Sequence, residues 1–167
     1  MEYLAVYGSC CRHDEDSGPR QLSDAELSAL LEEQRFGTLA TNKHDGHPHL
    51  TTMSFAWDPA TRVLRFSTTE SRAKAKHLRR DPRASLHVPG GDVWSFAVAE
   101  GEAEVSEVTA VPGDAIGREL LAAVPESLRP GTVEDEAAFL AHLVDERRVV
   151  IRLAVSRLYG TALDISA

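Results

Sequence analysis

The sequence predicts a mainly β protein with flanking helices, built around an antiparallel barrel. Short stretches of strand composition recur along the chain, and turn residues such as Asp45-Gly46 and the "PGGD" at residues 89–92 separate them. Helical patterns are confined to the region before the first strand, one short basic segment and one insertion. With 167 residues and 43% hydrophobic content, the chain is long enough to bury a core as one domain with an insertion.

Residues 1–20 end in a polar stretch without periodicity, and we expect a disordered tail ahead of a single domain over residues 21–167. Cys10 and Cys11 are adjacent and have no other cysteine partner, which excludes a disulfide scaffold and favours a reducing cytoplasm. The N-terminus lacks a basic region followed by a long apolar run, so it does not resemble a signal peptide. No stretch approaches the roughly 18 apolar residues of a membrane span. The chain is therefore predicted to be cytoplasmic.

A helix is predicted over residues 21–37. Ser23 has N-cap chemistry and Glu26 follows it by three residues, which is the capping-box pattern. The residues expected to form its buried stripe are Leu27, Leu30 and Leu31. Gly37 is expected to end the helix, because glycine readily adopts the left-handed conformation found at helix C-termini.

Six strand patterns follow the helix. They lie at residues 37–42, 49–58, 62–69, 83–88, 93–105 and 147–160. The fifth pattern is long, and Gly101 within it indicates a bend or a β-bulge. A helical insertion is predicted between the fifth and the last strand, over about residues 110–146. Its second helix begins with Thr132 and Asp135 in capping-box spacing.

One short segment concentrates positive charge in an otherwise acidic chain. Residues 72–83 hold six of the 18 Lys and Arg residues and one acidic residue, while the whole chain has a formal charge of −8. The rest of the chain therefore has 12 basic against 25 acidic residues, which is a net charge of −13. This balance argues against nonspecific nucleic-acid binding, and it leaves room for one local anion site.

The basic segment is predicted to form a short helix over residues 70–80. Arg72 and Lys74 fall in its first turn, where a cation opposes the helix macrodipole by roughly 0.3–1 kcal/mol. An anion bound there reverses this effect, because backbone N–H groups and both side chains converge on it, so we interpret these two residues as ligands. The residues interpreted as helix-end or surface charges are Arg79, Arg80 and Arg83. From this segment alone, a solvated basic face without a ligand is an equal alternative.

Other patterns that carry chemistry are weaker. His44, His47 and His49 straddle a hairpin turn, so their side chains diverge, and no acidic or cysteine residue has matching spacing. We therefore expect no metal site. The nucleophile motif GxSxG and the phosphate loops GxGxxG and GxxxxGK[ST] are absent from the sequence. The sequence offers no strong candidate for a catalytic side chain.

The order of the blocks resembles a known family. The blocks are "GTLAT", "DGHPHLTTMSFAWD", "LRFSTTESRAKAKHLRRDPRASLHV", "WSFAVAEGEAEV" and "VVIRLAVSRLYG". They span roughly residues 22–160 and are similar to the split β-barrel flavin-binding proteins related to pyridoxamine phosphate oxidase. "RAKAKHLRRDPRAS" followed by "WSFAVAEG" resembles the branch of that family that uses the deazaflavin coenzyme F-420.

The resemblance implies a split β-barrel of the FMN-binding, PNP oxidase-like class, assembled as a homodimer with two cofactor sites at the subunit interface. Arg72 and Lys74 would hold the cofactor phosphate, and Lys76, with Arg79 or Arg80 as further candidates, would meet the polyglutamate tail of F-420. Trp94 would close the site from the neighbouring subunit, and His77 stands where similar sequences often have Asn. The implied cofactor-binding residues are His49, Thr52, Met53, Ser67, Thr68, Arg72, Ala73, Lys74, Lys76, His77 and Trp94.

The function that the resemblance implies is an F-420-dependent oxidoreductase. It would transfer a hydride from the reduced cofactor to a small conjugated acceptor, in a pocket built from the helical insertion and the partner subunit. Its expected partners are a second copy and a small-molecule substrate, and neither nucleic acid nor a membrane. An FMN-dependent enzyme like pyridoxamine phosphate oxidase and a non-catalytic cofactor carrier both stay open as alternatives.

Overall fold

One eight-stranded antiparallel sheet organises the chain, which the computed structural model describes over residues 19–91 and 94–163. The strands are β1 Arg20–Gln21, β2 Phe36–Asn42, β3 Pro48–Ser54, β4 Ala56–Asp58, β5 Val63–Thr69, β6 Arg83–Pro89, β7 Phe96–Val105 and β8 Arg148–Ala162. Hydrogen-bonded neighbours follow the order β3-β2-β6-β7-β8-β5-β4, and β1 pairs with β8. The sheet curls into a half-barrel, so β3 at one end approaches β5 near the other.

Helices flank this sheet, as the sequence predicts. They are α1 Asp24–Glu33, α2 Ala73–Arg80, α3 Ala115–Ala122 and α4 Val133–Asp145, with a short 3-10 helix at Glu126–Leu128. The helix α2 connects β5 to β6, and the pair α3 and α4 is inserted between β7 and β8. None of these helices is long and apolar enough to cross a membrane within the part of the chain that the structure describes.

The hydrophobic core lies inside the curled sheet. Successive residues of a strand face opposite sides, so alternate positions such as Leu64 and Phe66 of β5 point inward and are almost fully buried. Helix α1 packs on this core through Leu27 and Leu31, while Leu30 is partly buried against it. The predicted buried stripe of α1 is therefore confirmed.

The start of α1 is as predicted and its end is not. The side chains of Ser23 and Glu26 form the full capping box, with the backbone N–H of Ser23 donating to Glu26 Oε2 over 2.8 Å. The helix ends at Glu33, and Gln34 after it is already extended. The prediction that Gly37 ends the helix was wrong. Gly37 lies inside β2, where an added Cβ would come within 2.9 Å of the His87 carbonyl oxygen.

The pattern at residues 49–58 was predicted as one strand and forms two. The strand is interrupted at Phe55, whose backbone N–H donates to the carbonyl of Arg35 over 3.1 Å. Before the break, β3 pairs with β2; after it, β4 pairs with β5. This strand therefore passes from one end of the half-barrel to the other, and composition alone does not show where it changes partner.

The predicted irregularity at Gly101 is confirmed as a β-bulge between β7 and β8. The register passes from Glu100 opposite Arg157 to Gly101 opposite Val155, so Ser156 has no partner on β7. The missed strand β1 includes Arg20, which pairs with Ala162 at the end of β8. Most of the predicted tail, residues 1–18, lies outside the described residues.

The inserted helices form a second, smaller core against the outer face of β8. Their largest apolar contacts to the sheet come from Leu120, Leu140 and Leu143, which pack with Val150. Thr132 caps α4 by accepting from the N–H of Asp135 over 3.1 Å, so the predicted cap is confirmed. Glu119 of α3 anchors the insertion to the sheet, because its carboxylate accepts hydrogen bonds from both Arg65 and Arg152.

Candidate cofactor-binding site

The start of α2 presents free hydrogen-bond donors. Arg72 is the N-cap residue, and no side chain caps the helix there. Of the N–H groups in the first turn, that of Ala75 donates to the Arg72 carbonyl over 3.1 Å, whereas those of Ala73 and Lys74 remain available to a ligand. The first turn contains no acidic side chain, although carboxylates are the usual complement of the macrodipole at this end. This terminus is therefore suited to an external anion.

Lys74 is a buried cation at this terminus. Its side chain is 9% exposed, because it lies beside Ala75 and Leu78 on the face of α2 that packs against the sheet. Within the described residues, it makes no hydrogen bond and no ion pair. Burial and then the neighbouring Arg72 guanidinium lower the pKa of Lys74 below its ordinary value. An ammonium desolvated beside another cation is unfavourable unless an anion joins it.

The six cations of the basic segment divide into two sets of three. In the described part of the chain, Arg72 and Lys76 resemble Lys74 in making no side-chain hydrogen bond or ion pair. The members of the second set all bind protein atoms: Arg79 donates to the Ser106 carbonyl, Arg80 to the Asn42 carbonyl and Arg83 to the Asp81 carboxylate. The second set has structural roles, as the sequence suggests, and the first set is available for a ligand.

The end of β5 adjoins the same region. Thr68 is buried, whereas Ser67 faces the other side of the strand and is partly exposed. Arg148 Nη1 donates to Ser67 Oγ over 3.2 Å, and its guanidinium also pairs with Glu146 at 2.7 Å. Arg148 first, and Arg72 as a weaker influence, lower the pKa of the Glu146 carboxyl. These contacts connect Ser67 to the start of α2 through Arg148, a residue that sequence reasoning did not identify.

The strand β3 brings two of its predicted residues to one face. His49 and Met53 share the inward side, and the His49 ring meets the His77 ring edge-on with centroids 5.2 Å apart. Thr52 is exposed on the opposite side of the strand. Of the three residues of β3 that the resemblance implies as cofactor-binding, Thr52 therefore does not share a face with His49 and Met53.

His77 is held in place by a residue that sequence reasoning missed. Thr41 lies in β2 and is 1% exposed, and its hydroxyl Oγ1 is 3.1 Å from His77 Nδ1, within hydrogen-bond distance. His77 and Thr41 are 36 residues apart, and no local pattern signals their contact. Burial first, then the charges of His49, Arg80 and Lys43, lower the pKa of His77 below its ordinary value.

Replacing His77 by Asn is expected to reduce the pH dependence of stability. Because the pKa of His77 is lower in the folded protein, the unfolded chain binds its proton more readily. The stability that neutral His77 contributes is fully present above the pKa that His77 has in the unfolded chain. It is lost as the pH falls from that value through the lower pKa of His77 in the folded protein. Urea denaturation should show a smaller loss of stability from about pH 7.5 to about pH 5.5 in His77→Asn than in the unmodified protein.

The matched control for this prediction is His47→Asn. His47 is exposed in the β2–β3 turn, and its replacement should leave the pH dependence unchanged. If both variants lose as much stability on acidification as the unmodified protein, His77 is not the group responsible.

The remaining predicted residues are exposed on the surface. Trp94 is 51% exposed in the connection between β6 and β7, beside residues 92 and 93, which the structure does not describe. Ala73 and Lys76 are exposed on α2. His44 and His47 are exposed in the turn, and the described residues contain no group of three or more His, Cys, Asp or Glu placed to hold a metal ion.

Known proteins are similar to this chain over most of its length. An F-420H2-dependent biliverdin reductase of Mycobacterium tuberculosis is 29% identical over 143 residues, covering 85% of this chain and 90% of the relative. The solved structure of a conserved hypothetical protein from Mycobacterium tuberculosis superposes with a TM-score of 0.67 at 29% identity, covering 84% and 85% of the two chains. The solved structure of an F-420 reductase gives a TM-score of 0.56 at 28% identity, covering 78% and 94%.

The family assignment rests on a match that includes both the sheet and α2. The family model described as pyridoxamine 5'-phosphate oxidase matches residues 23–162, from the N-cap of α1 to the end of β8. The half-barrel and its flanking helices are the fold of that family. This chain therefore belongs to the pyridoxamine 5'-phosphate oxidase family.

Proposed function

We propose that this protein is an oxidoreductase that binds the deazaflavin coenzyme F-420 and directs a hydride from its reduced form to a small conjugated acceptor. The single observation that carries the proposal is Lys74, a buried ammonium without a protein partner at an uncapped helix start. The similarity to an F-420H2-dependent biliverdin reductase and to an F-420 reductase, at 29% and 28% identity, supports the choice of cofactor.

The start of α2 fits a phosphate group. Backbone N–H groups, the Lys74 ammonium and the Arg72 guanidinium supply donors and positive charge within one helical turn. The partial burial of Lys74 lowers the local dielectric, which strengthens its attraction to an anion. Both F-420 and FMN carry a phosphate, so this part of the site fits either cofactor.

Lys76 favours the deazaflavin over FMN. It is exposed on α2, and it has no hydrogen bond or ion pair within the described residues. F-420 adds a polyglutamate tail to its phosphodiester, and an unpaired surface cation close to the phosphate site attracts such a tail. Arg79 and Arg80 are less available for this role, because both already donate to backbone carbonyls.

When bound, a deazaflavin supplies a two-electron hydride donor that reacts poorly with oxygen. The chain contributes position: the cations of α2 would fix the phosphate, and β3, whose His49 contacts His77 of α2, would run beside the ring. Holding donor and acceptor atoms about 3–3.5 Å apart is itself a large source of acceleration. No described side chain is given the role of proton donor, and a proton from water completes reduction of the acceptor.

We also propose that two copies of the chain complete the site. Phe36 and Leu50, on β2 and the edge strand β3, are 62% and 63% exposed, and an uncovered apolar surface of this kind favours association. In such a homodimer, Trp94 of one copy would reach the cofactor of the other, as the family resemblance implies.

Turnover of the reduced cofactor tests the proposed function. Purified protein is mixed with reduced F-420 or reduced FMN and a panel of quinones, enones and tetrapyrroles, and oxidation is followed by absorbance. We expect acceptor-dependent oxidation of reduced F-420, and in Lys74→Met a Michaelis constant for reduced F-420 that is raised about 10–150-fold. Turnover with FMN alone would support the FMN-dependent alternative, and tight F-420 binding without turnover would support a carrier.

A further inference from the structure

A cavity of about 370 Å³ lies on the outer side of the half-barrel, away from the strands' buried core. Its floor is the outer face of β5 and the break between β3 and β4, represented by Ser67 and Phe55. Its roof is the insertion, represented by Leu120, Leu128 and Phe139. A volume within the roughly 300–1,000 Å³ of small-molecule sites and a mainly apolar lining are typical of a ligand pocket.

The cavity exists because the sequence interrupts close packing at this place. The backbone turns at Phe55, and small side chains, Ala56 and Ala123, line the space on opposite sides. The helix α3 is held over the sheet by the ion pairs of Glu119 with Arg65 of β5 and Arg152 of β8, and by the packing of Leu120 with Val150 of β8. The walls are therefore fixed while the space between them is open.

The polar groups at the cavity favour an anionic ligand. Two arginines, Arg35 and Arg65, line it, and no carboxylate does. Arg65 is neutralised by Asp58 and Glu119. Arg35 has no side-chain hydrogen bond or ion pair in the described part of the chain, so it contributes a net positive charge at the rim. In a chain with a formal charge of −8, this sign is unusual.

The cavity shares one residue, Ser67, with the predicted cofactor-binding residues. Ser67 lines the cavity and accepts a hydrogen bond from Arg148, whose other partner is Glu146. Glu146 in turn lies close enough to Arg72 for that cation to lower the pKa of its carboxyl, after the larger effect of Arg148. Ser67 is therefore common to the cavity lining and to the residues predicted to bind the cofactor.

We propose that this cavity binds the electron acceptor, and that the acceptor is a flat, apolar, conjugated molecule with a carboxylate that pairs with Arg35. The identification of the ligand as the electron acceptor rests on the proposed function. The existence of the binding site and its preference for apolar carboxylates rest on the cavity itself. Transfer of an apolar ligand from water into the cavity is favourable in free energy. A single carboxylate at one end of the ligand orients it, because that end pairs with Arg35 at the rim.

Binding of a fluorescent probe to the cofactor-free protein tests this proposal. The probe is 1-pyrenebutyrate, with 1-pyrenebutanol as its uncharged counterpart. Leu128→Asp places a charge in the lining at a residue that is 72% exposed, so it should not disturb folding. Its matched control is Val133→Asp, at a residue that is 81% exposed and outside the lining. We expect Leu128→Asp to weaken pyrenebutyrate binding about tenfold or more, and the control to leave it unchanged.

The charge preference is tested at Arg35. Arg35→Gln should weaken binding of 1-pyrenebutyrate about three- to tenfold and leave 1-pyrenebutanol unaffected, whereas Arg20→Gln, at an exposed arginine outside the lining, should change neither. Equal affinities for the unmodified protein, Leu128→Asp and Val133→Asp would overturn the site, and no difference between the two probes would overturn its preference for carboxylates.

Titration of the same variants with F-420 separates this proposal from the proposed function. Leu128→Asp and Arg35→Gln should bind F-420 as the unmodified protein does, because neither residue belongs to the start of α2. If F-420 fails to bind to any of them while the pyrene probes behave as expected, the proposed function fails and the cavity remains a ligand site.

Discussion

Lys74→Met is expected to stabilise the cofactor-free protein and to weaken cofactor binding in the same variant. The side chain of Met is close to that of Lys in length and fills the same buried space, but it removes an ammonium that has no partner among the described residues. The free energy of unfolding should rise by about 1 kcal/mol, since the cost of a poorly solvated charge disappears. Affinity for the cofactor should fall by about 1.5–3 kcal/mol, or roughly 10–150-fold, the scale of a charge-assisted hydrogen bond.

Opposite signs of these two effects distinguish a ligand residue from a structural one. Arg83→Met is the control, because Arg83 belongs to the same basic segment and pairs with Asp81 over 2.8 Å. It should leave cofactor affinity almost unchanged. Urea denaturation measures stability, and calorimetric titration measures affinity. A Lys74→Met variant that is less stable and binds the cofactor normally would show that Lys74 serves the fold and not the ligand.

Gly101→Ala is expected to destabilise the protein severely. Gly101 lies at the β-bulge between β7 and β8, where an added Cβ would be 1.9 Å from the Ala154 carbonyl oxygen and 2.8 Å from its carbon. These are backbone atoms in the centre of the sheet, so no side chain can turn away to relieve the clash. We expect a loss of about 3 kcal/mol or more in the free energy of unfolding, at the upper end of single substitutions.

The control for Gly101→Ala is Gly91→Ala. An added Cβ at Gly91 meets nothing within 4 Å, so this variant should retain the stability of the unmodified protein. Circular dichroism during urea denaturation compares the two. Equal denaturation midpoints for the two variants would mean that the strands can separate locally at the bulge at little cost, contrary to the close packing seen there.

Local signals in the sequence predicted the elements whose causes are local. The capping box of Ser23 and Glu26, the turn at Asp45-Gly46 and the bulge at Gly101 each depend on a few neighbouring residues, and each is present. The glycine at position 37 misled the prediction of the end of α1, because a helix can also end when the next residue becomes extended, as Gln34 does.

Features with distant causes escaped prediction. The break at Phe55 follows from the closure of the half-barrel, in which β3 and β4 pair with different strands. The two-residue strand β1 exists only because the end of β8 is available beside it. Both depend on where strands meet in space, and residue patterns within one segment do not encode that.

The candidate site shows the same division. The position of Arg72 and Lys74 at a helix start follows from the local pattern, whereas the burial of Lys74 depends on how α2 lies against the sheet. Contacts such as Ser67 with Arg148, separated by 81 residues, become visible only in the folded chain. The cavity under the insertion is likewise a property of two elements together, although an insertion of two helices was predicted.

Titration calorimetry of the purified, folded protein with F-420, and separately with FMN, tests the central claim most directly. The claim is that the unpaired cations and open amides at the start of α2 hold a phosphorylated redox cofactor. We expect saturable binding of F-420 with micromolar or tighter affinity, and clearly weaker binding of FMN. An intact protein that releases no heat and shows no saturation with either molecule would contradict it.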